Sequence, residues 1–305
     1  MSHLEGHSLI TCLEAYSKSL KSCYASLEPG NPTLECFEEH VVTLIGDYVC
    51  DRLEDQSPFC ILGVGSGDGG NDFAFLEMLS KIRRRKDNKF QLFQRVIEPD
   101  KQMFQAFRAK AEHLPESLKS WANIEFDLRS TTYQEYVEQK KEDDMKFDVV
   151  HFVHSLYYAG LEPALEHCYE KELGAKGIIL CMIQSEDSAY VKYGRAFSAH
   201  GMIYNPGAYY SNRHVKDVAE KNGWKYVECS GETKTCDITA IFDESSREGN
   251  QLLDFLTHWL DVRVTATKDN LQKILNFWEN ESVDDGLGKK MVKMRMGAVI
   301  IFKGM

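Results

Sequence analysis

The stretch FCILGVGSGDGGNDFAFL, residues 59–76, decides the fold of this 305-residue chain. Its apolar beginning predicts a buried strand, and the amphipathic run after Gly70 predicts a helix. A glycine-rich turn lies between them. Strand, glycine turn and helix form the layout that brings backbone close to a nucleotide at a helix N-terminus, because a Cβ would block both the turn and the ligand.

The glycine spacing fits two kinds of nucleotide site. Gly65, Gly67 and Gly70 match G-x-G-x-x-G, which is typical of a dinucleotide site. Gly65, Gly67 and Gly69 match G-x-G-x-G, the form used for S-adenosylmethionine. The glycines alone therefore leave the ligand open, and a surface turn without function also fits them.

The next predicted strand adds a carboxylate. RVIEP, residues 95–99, predicts a strand that ends at Glu98. In this layout such an acid accepts hydrogen bonds from the two ribose hydroxyls, since vicinal donors suit an acceptor with two oxygens. A glycine turn and an acid at successive strand ends together favour a nucleotide site over a plain surface turn.

Strand and helix patterns alternate after residue 58, which predicts an α/β fold with a parallel sheet and helices on both faces. A sixth and a final strand are predicted at 224–229 and 297–303, giving seven strands in which the last is reversed and these two form an antiparallel pair at the sheet edge. No second glycine turn exists, which disfavours a dinucleotide dehydrogenase. The first five strands are predicted near 59–64, 92–97, 122–127, 147–153 and 177–183, and the intervening helices near 71–85, 99–112, 131–141, 161–172 and 186–196.

Two amphipathic helices are predicted before the first strand, over 9–27 and 32–49. They indicate an N-terminal helical cover, residues 1–55. The nucleotide-binding domain then occupies 56–305, with substrate-covering insertions near 197–215 and 245–290.

Composition excludes several classes of function. The net charge is −11, so nucleic acid is not an expected partner. The nine cysteines are odd in number and contain no C-x-x-C pair, which indicates reduced intracellular thiols rather than a disulfide framework or a metal site. No signal peptide and no run of membrane-spanning length is recognisable, so we expect a cytoplasmic protein without a membrane partner.

Several longer segments follow the glycine turn in order. They are VIEPD (96–100), FDVVHFVHSLYYAG (147–160), VKYGRAF (191–197) and LLDFLTHW (252–259). Together with the glycine turn, these segments resemble the histamine N-methyltransferase family. The resemblance covers nearly the whole chain. It implies a class I methyltransferase fold, S-adenosylmethionine as methyl donor, a small amine or imidazole as acceptor, and a monomer.

The resemblance also assigns site residues. It implies that Glu98 holds the ribose, that Thr131 lies beside the adenine and that Val153 makes an apolar donor contact. The remaining donor positions are Gly65, Gly67 and Gly69. The implied acceptor contacts are Glu35, His154, Tyr157, Tyr158, Tyr190 and Phe255.

The polar acceptor positions depart from the family pattern. Thr33 stands where the family has a carboxylate, with Glu35 two residues later. His154 replaces a glutamine and Met294 an asparagine. Because a changed set of hydrogen-bonding partners usually means a changed ligand, histamine itself is not assigned as the physiological acceptor, and we expect histamine or a related small nitrogen compound. His154, at a strand's carboxyl end, is the candidate to hold or deprotonate the acceptor nitrogen.

Three alternatives stay open. A diverged protein could keep the donor site without catalysis, and donor binding without turnover would reveal it. A nicotinamide-dependent oxidoreductase would be protected by NAD instead. Methylation of a protein or nucleic acid is disfavoured by the acidic charge and the N-terminal cover.

Overall fold

The computed structural model describes residues 8–29, 32–42, 58–82, 90–141, 145–198, 202–203 and 206–304. The chain forms two compact units. The first unit comprises 1–30, 184–211 and 232–295, and the second comprises 31–183, 212–231 and 296–305. The division at residue 55 drawn from the sequence stays a prediction.

The described residues form one eight-stranded sheet, with strands in the order β3-β2-β1-β4-β5-β8-β6 and β7 paired to β8. The predicted count of seven is wrong by one, because the two-residue β7 carried no sequence pattern. The strands are β1 Phe59–Val64, β2 Phe90–Ile97, β3 Ala122–Arg129, β4 Phe147–Val153, β5 Leu173–Gln184, β6 Lys225–Asp237, β7 Val283–Asp284 and β8 Lys290–Phe302.

Parallel pairing joins β1 to β2 and β4, β2 to β3, and β4 to β5. β7 pairs antiparallel with β8. The chain therefore builds the sheet outward from β1 in one direction and from β4 in the other. The crevice outside the carboxyl ends of β1 and β4 is the topological switch point, where ligands of such sheets bind.

Thirteen α-helices are described. They are α1 Leu13–Ser26, α2 Pro32–Cys36, α3 Gly70–Ile82, α4 Lys101–Glu112, α5 Glu116–Trp121, α6 Tyr133–Gln139, α7 Leu156–Ala159, α8 Leu161–His167, α9 Ala189–Phe197, α10 Asn212–Lys221, α11 Arg247–Thr257, α12 Val262–Thr265 and α13 Lys268–Glu281. Single 3₁₀ or π turns cover Leu9–Thr11, Phe37–Val41, Cys168–Glu172, Pro206–Tyr209 and Thr239–Phe242. The predicted second helix extends beyond residue 42 into 43–49, which lies outside the described residues.

Each unit has its own apolar core. In the second unit every residue of β1 is buried, as are the first six residues of β4. Burial on both faces explains why these strands read as continuous apolar runs rather than alternating ones. The core of the first unit is built mainly from α9, α11 and α13, around Tyr193 and Trp278.

Within the described ranges, none of the helices combines the length and the apolar character that a transmembrane span requires.

Candidate active site

The glycine turn follows β1 directly and is fixed to the end of β2. The backbone N–H of Gly65 donates to the carbonyl of Ile97 at 2.8 Å, and that of Ser66 donates to the same oxygen at 3.4 Å. Because Ile97 is the last residue of β2, these bonds hold the turn beside the strand end that carries the predicted ribose acid.

Backbone conformation separates the two possible glycine patterns. Gly65, Gly67 and Gly69 have φ angles of 66°, 59° and 80°, in the left-handed region that favours glycine. Gly70 instead begins α3 and is not among the glycines with positive φ. The conformational need for glycine therefore follows G-x-G-x-G.

The three glycines differ in their surroundings. A Cβ on Gly65 would lie 2.5 Å from the Cβ of Ser155, and one on Gly69 would lie 2.6 Å from the ring of Phe107. For Gly67, no atom of the described residues lies within 4 Å of such a Cβ, apart from Gly67 itself and its two chain neighbours. Packing requires Gly65 and Gly69, whereas Gly67 leaves open space through which a ligand can approach the backbone.

The Glu98 carboxylate lies directly across from the turn. Its Oε2 accepts the N–H of Gly67 at 2.7 Å, and its Oε1 accepts the N–H of Asp100 at 2.8 Å. The residue is 6% exposed. Burial raises the pKa of Glu98 above its ordinary value, while these two backbone hydrogen bonds act in the opposite direction. Each oxygen keeps acceptor capacity, so the carboxylate can still receive two ribose hydroxyls.

The charges near the turn favour a cationic ligand. Glu98 is a buried carboxylate, 6% exposed, beside the turn. Its negative charge attracts a sulfonium, and low local dielectric strengthens this attraction. The arrangement fits S-adenosylmethionine, although an acid at this place also occurs in dinucleotide sites, so the glycine conformation and not the charge separates the two ligands.

Two further predicted donor contacts lie at the ends of β3 and β4. Thr131 follows β3, is half-buried, and donates its hydroxyl to Glu135 at 2.9 Å. The next residue, Thr132, forms a capping box with the same Glu135 at the start of α6. Val153 ends β4 and is half-buried. The donor roles of Thr131 and Val153 remain predictions.

His154 follows β4 and is held in an unusual conformation. Its φ is 55°, and its N–H donates to the carbonyl of Met182 at 3.0 Å. Its ring Nε2 lies 2.8 Å from the hydroxyl of the buried Thr33. Left-handed backbone at a residue other than glycine persists where the surroundings impose it, often at functional sites.

The imidazole of His154 is neutral near neutral pH. Part of the residue is accessible, yet protein atoms surround the ring, and this desolvation lowers the pKa of His154 to about 4. A neutral ring can offer one hydrogen-bond donor and one acceptor. Three positions differ from the family pattern, and two of them, Thr33 and His154, therefore form one uncharged hydrogen-bonded pair.

The predicted tyrosine pair lies in the short helix α7. The rings of Tyr157 and Tyr158 lie 4.5 Å apart in an edge-on arrangement, and Tyr158 is 40% exposed. Gln134 donates to the carbonyl of Tyr158 at 3.1 Å, which fixes the backbone there. Glu35 lies in α2, half-buried, two residues after Thr33.

The other two predicted acceptor contacts belong to an aromatic cluster in the first unit. Tyr190 lies 4.8 Å from Tyr209 and 6.1 Å from Phe255, measured between ring centroids. The ring of His258 lies 5.8 Å from Tyr190, and Tyr16 lies 6.3 Å from Phe255. Tyr190 and Phe255, 65 positions apart in the sequence, are thus brought together in one aromatic cluster, and their role as acceptor contacts remains a prediction.

Met294 is an apolar core residue. It is 4% exposed, and its sulfur lies 3.8 Å from the hydroxyl of Ser188, which donates to Gln184 at 2.8 Å. Met294, which stands where the family pattern has an asparagine, therefore offers no amide for a hydrogen bond.

A polar cluster beneath the glycine turn was missed by the sequence reasoning. Asp72 accepts the hydroxyl of Ser66 at 2.9 Å and the amide of Gln94 at 2.6 Å. His151 Nε2 lies 3.3 Å from the same Asp72 oxygen. An acid three residues after the last turn glycine was a usable signal for Asp72, but nothing in the sequence pointed to Gln94 or His151.

The sheet order narrows the class of protein. The last long strand, β8, lies between β5 and β6, which is the class I methyltransferase arrangement. A G-x-G-x-G turn lies at the switch point, and a buried acid follows β2. These features define a class I, S-adenosylmethionine-dependent methyltransferase.

Comparison with known proteins agrees with this class. The histamine N-methyltransferase of Danio rerio is 27% identical over 271 residues, covering 87% of this chain and 88% of that protein. That of Mus musculus is 25% identical, covering 79% and 80%. Carnosine N-methyltransferase 2 of Gallus gallus is 25% identical, covering 83% and 77%. No family model matches the chain.

The chain is therefore homologous to the histamine N-methyltransferases, as the sequence resemblance indicated. The predictions of a class I fold and of a methyltransferase that uses S-adenosylmethionine are confirmed. Among solved structures, the plantazolicin methyltransferase BpumL gives a TM-score of 0.47 at 14% identity, covering 97% of this chain and 92% of that chain.

Proposed function

We propose that this protein transfers a methyl group from S-adenosylmethionine to a nitrogen of a small amine or imidazole compound, histamine or a related molecule. The Thr33–His154 pair carries the proposal. It places an uncharged hydrogen-bonding pair next to the carboxyl end of β4, at the switch point where ligands of such sheets bind.

The donor is held by residues of the second unit. Glu98 accepts the ribose hydroxyls, and the open space at Gly67 lets the donor approach the turn backbone. Thr131 and Val153 are proposed as the adenine-side contacts. When bound, S-adenosylmethionine supplies a methyl group on a cationic sulfur, so the protein mainly contributes alignment and exclusion of water.

His154 is better suited to hold the acceptor than to deprotonate it. As the C–N bond forms and the C–S bond breaks, the acceptor nitrogen gains positive charge and must later lose a proton. An imidazolium has an ordinary pKa of about 6.5, whereas that of His154 is about 4. Transfer to His154 is therefore uphill by roughly 3 kcal/mol. We infer that His154 orients the nitrogen through a hydrogen bond and that solvent takes the proton.

The remaining acceptor contacts are proposed from the family resemblance. Tyr157 and Tyr158 offer ring faces and hydroxyls, and ring faces attract a cation. Tyr190 and Phe255 offer apolar walls, and Glu35 offers a carboxylate for an ammonium group. Each is proposed as a contact, with no catalytic role.

A second candidate function has its own supporting observation. Met294 is buried and Thr33 carries no charge, so two polar contacts of the family are missing. A diverged protein of the same fold that binds S-adenosylmethionine without catalysis fits this loss. It predicts donor binding without turnover on any amine.

We also propose that the protein acts in the cytoplasm as a monomer. All eight cysteines in the described ranges are free thiols, which suits a reducing compartment. Size-exclusion chromatography with light scattering tests the monomer, and fractionation of the source cells tests the compartment. A stable dimer or a secreted pool would contradict the respective proposal.

The deciding experiment is donor-dependent methylation of a panel of histamine, carnosine, histidine and other biogenic amines, read by mass spectrometry. A methylated amine or imidazole is the expected product. Calorimetric titration with S-adenosylmethionine accompanies it. Donor binding without product would favour the non-catalytic candidate, and no donor binding would overturn both.

A further inference from the structure

The buried carboxylate of Asp72 lies beneath the glycine turn. Asp72 belongs to the first turn of α3 and is 2% exposed. Its Oδ1 accepts the hydroxyl of Ser66, a turn residue, at 2.9 Å. The same oxygen accepts the amide of Gln94, from β2, at 2.6 Å. One atom of Asp72 therefore links the turn to a neighbouring strand.

A histidine from the strand on the other side completes this cluster. His151 of β4 is 2% exposed, and its Nε2 lies 3.3 Å from Oδ1 of Asp72. Among the described residues neither ring nitrogen of His151 makes a hydrogen bond, so this approach is a contact without hydrogen-bond geometry. Asp72 thus hydrogen-bonds the turn after β1 to β2 and lies against His151 of β4.

The space around these groups is filled. A Cβ on Gly63 would lie 2.5 Å from the Ser66 hydroxyl, 2.8 Å from Asp72 Oδ1 and 3.0 Å from His151 Cε1. Close packing on this side leaves no room for a side chain at position 63, so the Ser66 hydroxyl and Asp72 Oδ1 lie directly against the β1 backbone. The hydrogen bond from Ser66 to Asp72 consequently fixes the direction in which the turn leaves β1.

The direction of the turn bears on the donor site. The peptide after Ser66 carries the N–H of Gly67, which donates to Glu98. The carbonyl of Ser66 also accepts the N–H of Gly69 at 3.0 Å. If Ser66 lost its tether, this peptide could rotate, and Glu98 would lose one of the donors that orient its carboxylate.

Burying a carboxylate is costly unless hydrogen bonds compensate it, and an apolar side chain would stabilise the core more simply. We propose that Asp72 is a positioning residue that acts through Ser66 to hold the glycine turn in its donor-binding shape. This inference rests on the proposed use of S-adenosylmethionine, and it assigns a role to residues outside the predicted site.

The test is calorimetric titration of S-adenosylmethionine into the full-length wild type, Ser66→Ala, Asp72→Asn and the double variant. We expect each single variant to raise the Kd about tenfold, which corresponds to about 1.4 kcal/mol. Because Asp72 acts through Ser66, the Kd of the double variant should lie within twofold of the higher of the two single-variant Kd values. Two independent effects would instead raise the Kd about a hundredfold over wild type.

Asp148→Asn is the matched control. Asp148 is also a buried carboxylate, 8% exposed, and accepts the N–H of Cys60 at 2.9 Å near the beginning of β1. This variant should lower the thermal midpoint as Asp72→Asn does, yet leave the Kd within twofold. A purely structural role of Asp72 would make the two variants alike in both measurements.

The outcomes separate the inference from the proposed function. Wild type that binds no S-adenosylmethionine overturns both. Wild type that binds it, with unchanged affinity in Ser66→Ala, overturns the inference alone, even if Asp72→Asn fails to fold. If the losses of donor-binding free energy in the two single variants add up fully in the double variant, the inference is also overturned.

Discussion

The hydroxyl of Thr33 lies 2.8 Å from Nε2 of His154, across 121 positions of sequence. Both are positions where this chain departs from the histamine N-methyltransferase pattern, in which a carboxylate and a glutamine are expected. Their contact means that the two changes form one unit. Under the proposed function, the neutral pair would contact the acceptor at these two positions through a nitrogen lone pair or an N–H rather than through an ammonium charge.

Removing the Thr33 hydroxyl tests this pair. Thr33→Val keeps the shape and deletes the partner of His154, which frees the ring to rotate. We expect kcat/KM for the methylated amine to fall about tenfold, the worth of one hydrogen bond of roughly 1.4 kcal/mol, with the KM for S-adenosylmethionine unchanged. Steady-state kinetics with the best amine of the panel measure both.

Thr33→Ser is the matched control because it retains the hydroxyl, and it should stay within threefold of wild type. If Thr33→Val methylates the amine as fast as wild type, the pair has no part in holding the acceptor.

Glu98→Gln tests the donor site. Both carboxylate oxygens accept backbone N–H groups, from Gly67 and Asp100. An amide must turn its NH₂ group toward one of these donors, and it loses the charge that attracts a sulfonium. We expect the Kd for S-adenosylmethionine to rise at least tenfold, about 1.4 kcal/mol, measured by calorimetry.

Glu125→Gln serves as the control, since Glu125 is an exposed acid on β3. It should bind the donor like wild type. Equal affinities of the two variants would remove Glu98 from the donor site.

Sequence patterns predicted the strands that are buried throughout and missed parts of the strands that are not. β1 was predicted with its observed ends because all six of its residues are buried. β8 was predicted only over 297–303, yet it begins at Lys290, where apolar and polar residues alternate. The second half of β6 was missed because Glu232–Asp237 is mostly polar.

The site was predictable where it follows the ends of strands. The glycine turn and Glu98 could be placed together because parallel strands end at one edge of a sheet. The Thr33–His154 contact and the Asp72 cluster could not, since each joins residues from separate segments through side-chain hydrogen bonds. The periodicity of apolar residues along a helix or strand does not indicate such contacts.

Alanine at two of the turn glycines separates packing from ligand access. Gly69→Ala places a Cβ 2.6 Å from the ring of Phe107 and also puts alanine at a positive φ. Gly67→Ala has only the free-energy cost of the positive φ. We expect Gly69→Ala to lose more unfolding free energy than Gly67→Ala, whose cost is about 1–2 kcal/mol. Urea titration measures both.

Donor affinity gives a second comparison, in which the more stable variant, Gly67→Ala, should still bind the donor poorly. Gly67→Ala fills the open space at the turn, so its donor Kd should rise strongly although it stays folded. A Gly67→Ala protein with wild-type affinity would show that the donor does not approach the turn there.

His258 makes stability depend on pH. Burial lowers the pKa of His258 to about 4, and the residue is 2% exposed. The ordinary pKa of histidine is about 6.5. Between pH 4 and 6.5, His258 is therefore protonated in the unfolded chain and neutral in the folded protein. This contribution to stability is complete above pH 6.5 and is lost as the pH falls toward 4, by about 3 kcal/mol in total.

His258→Asn removes the titrating group and suits the φ of 51° at this position, since asparagine tolerates left-handed backbone. We expect unfolding free energies from urea titration at pH 4.5, 5.5, 6.5 and 7.5 to rise less steeply with pH than in wild type, by up to one proton. His154 has a similarly lowered pKa and keeps part of the slope in the variant. The control His113→Asn, at an exposed position after α4, should retain the wild-type slope. An unchanged slope in His258→Asn would mean that His258 accepts its proton in the folded protein as readily as in the unfolded chain.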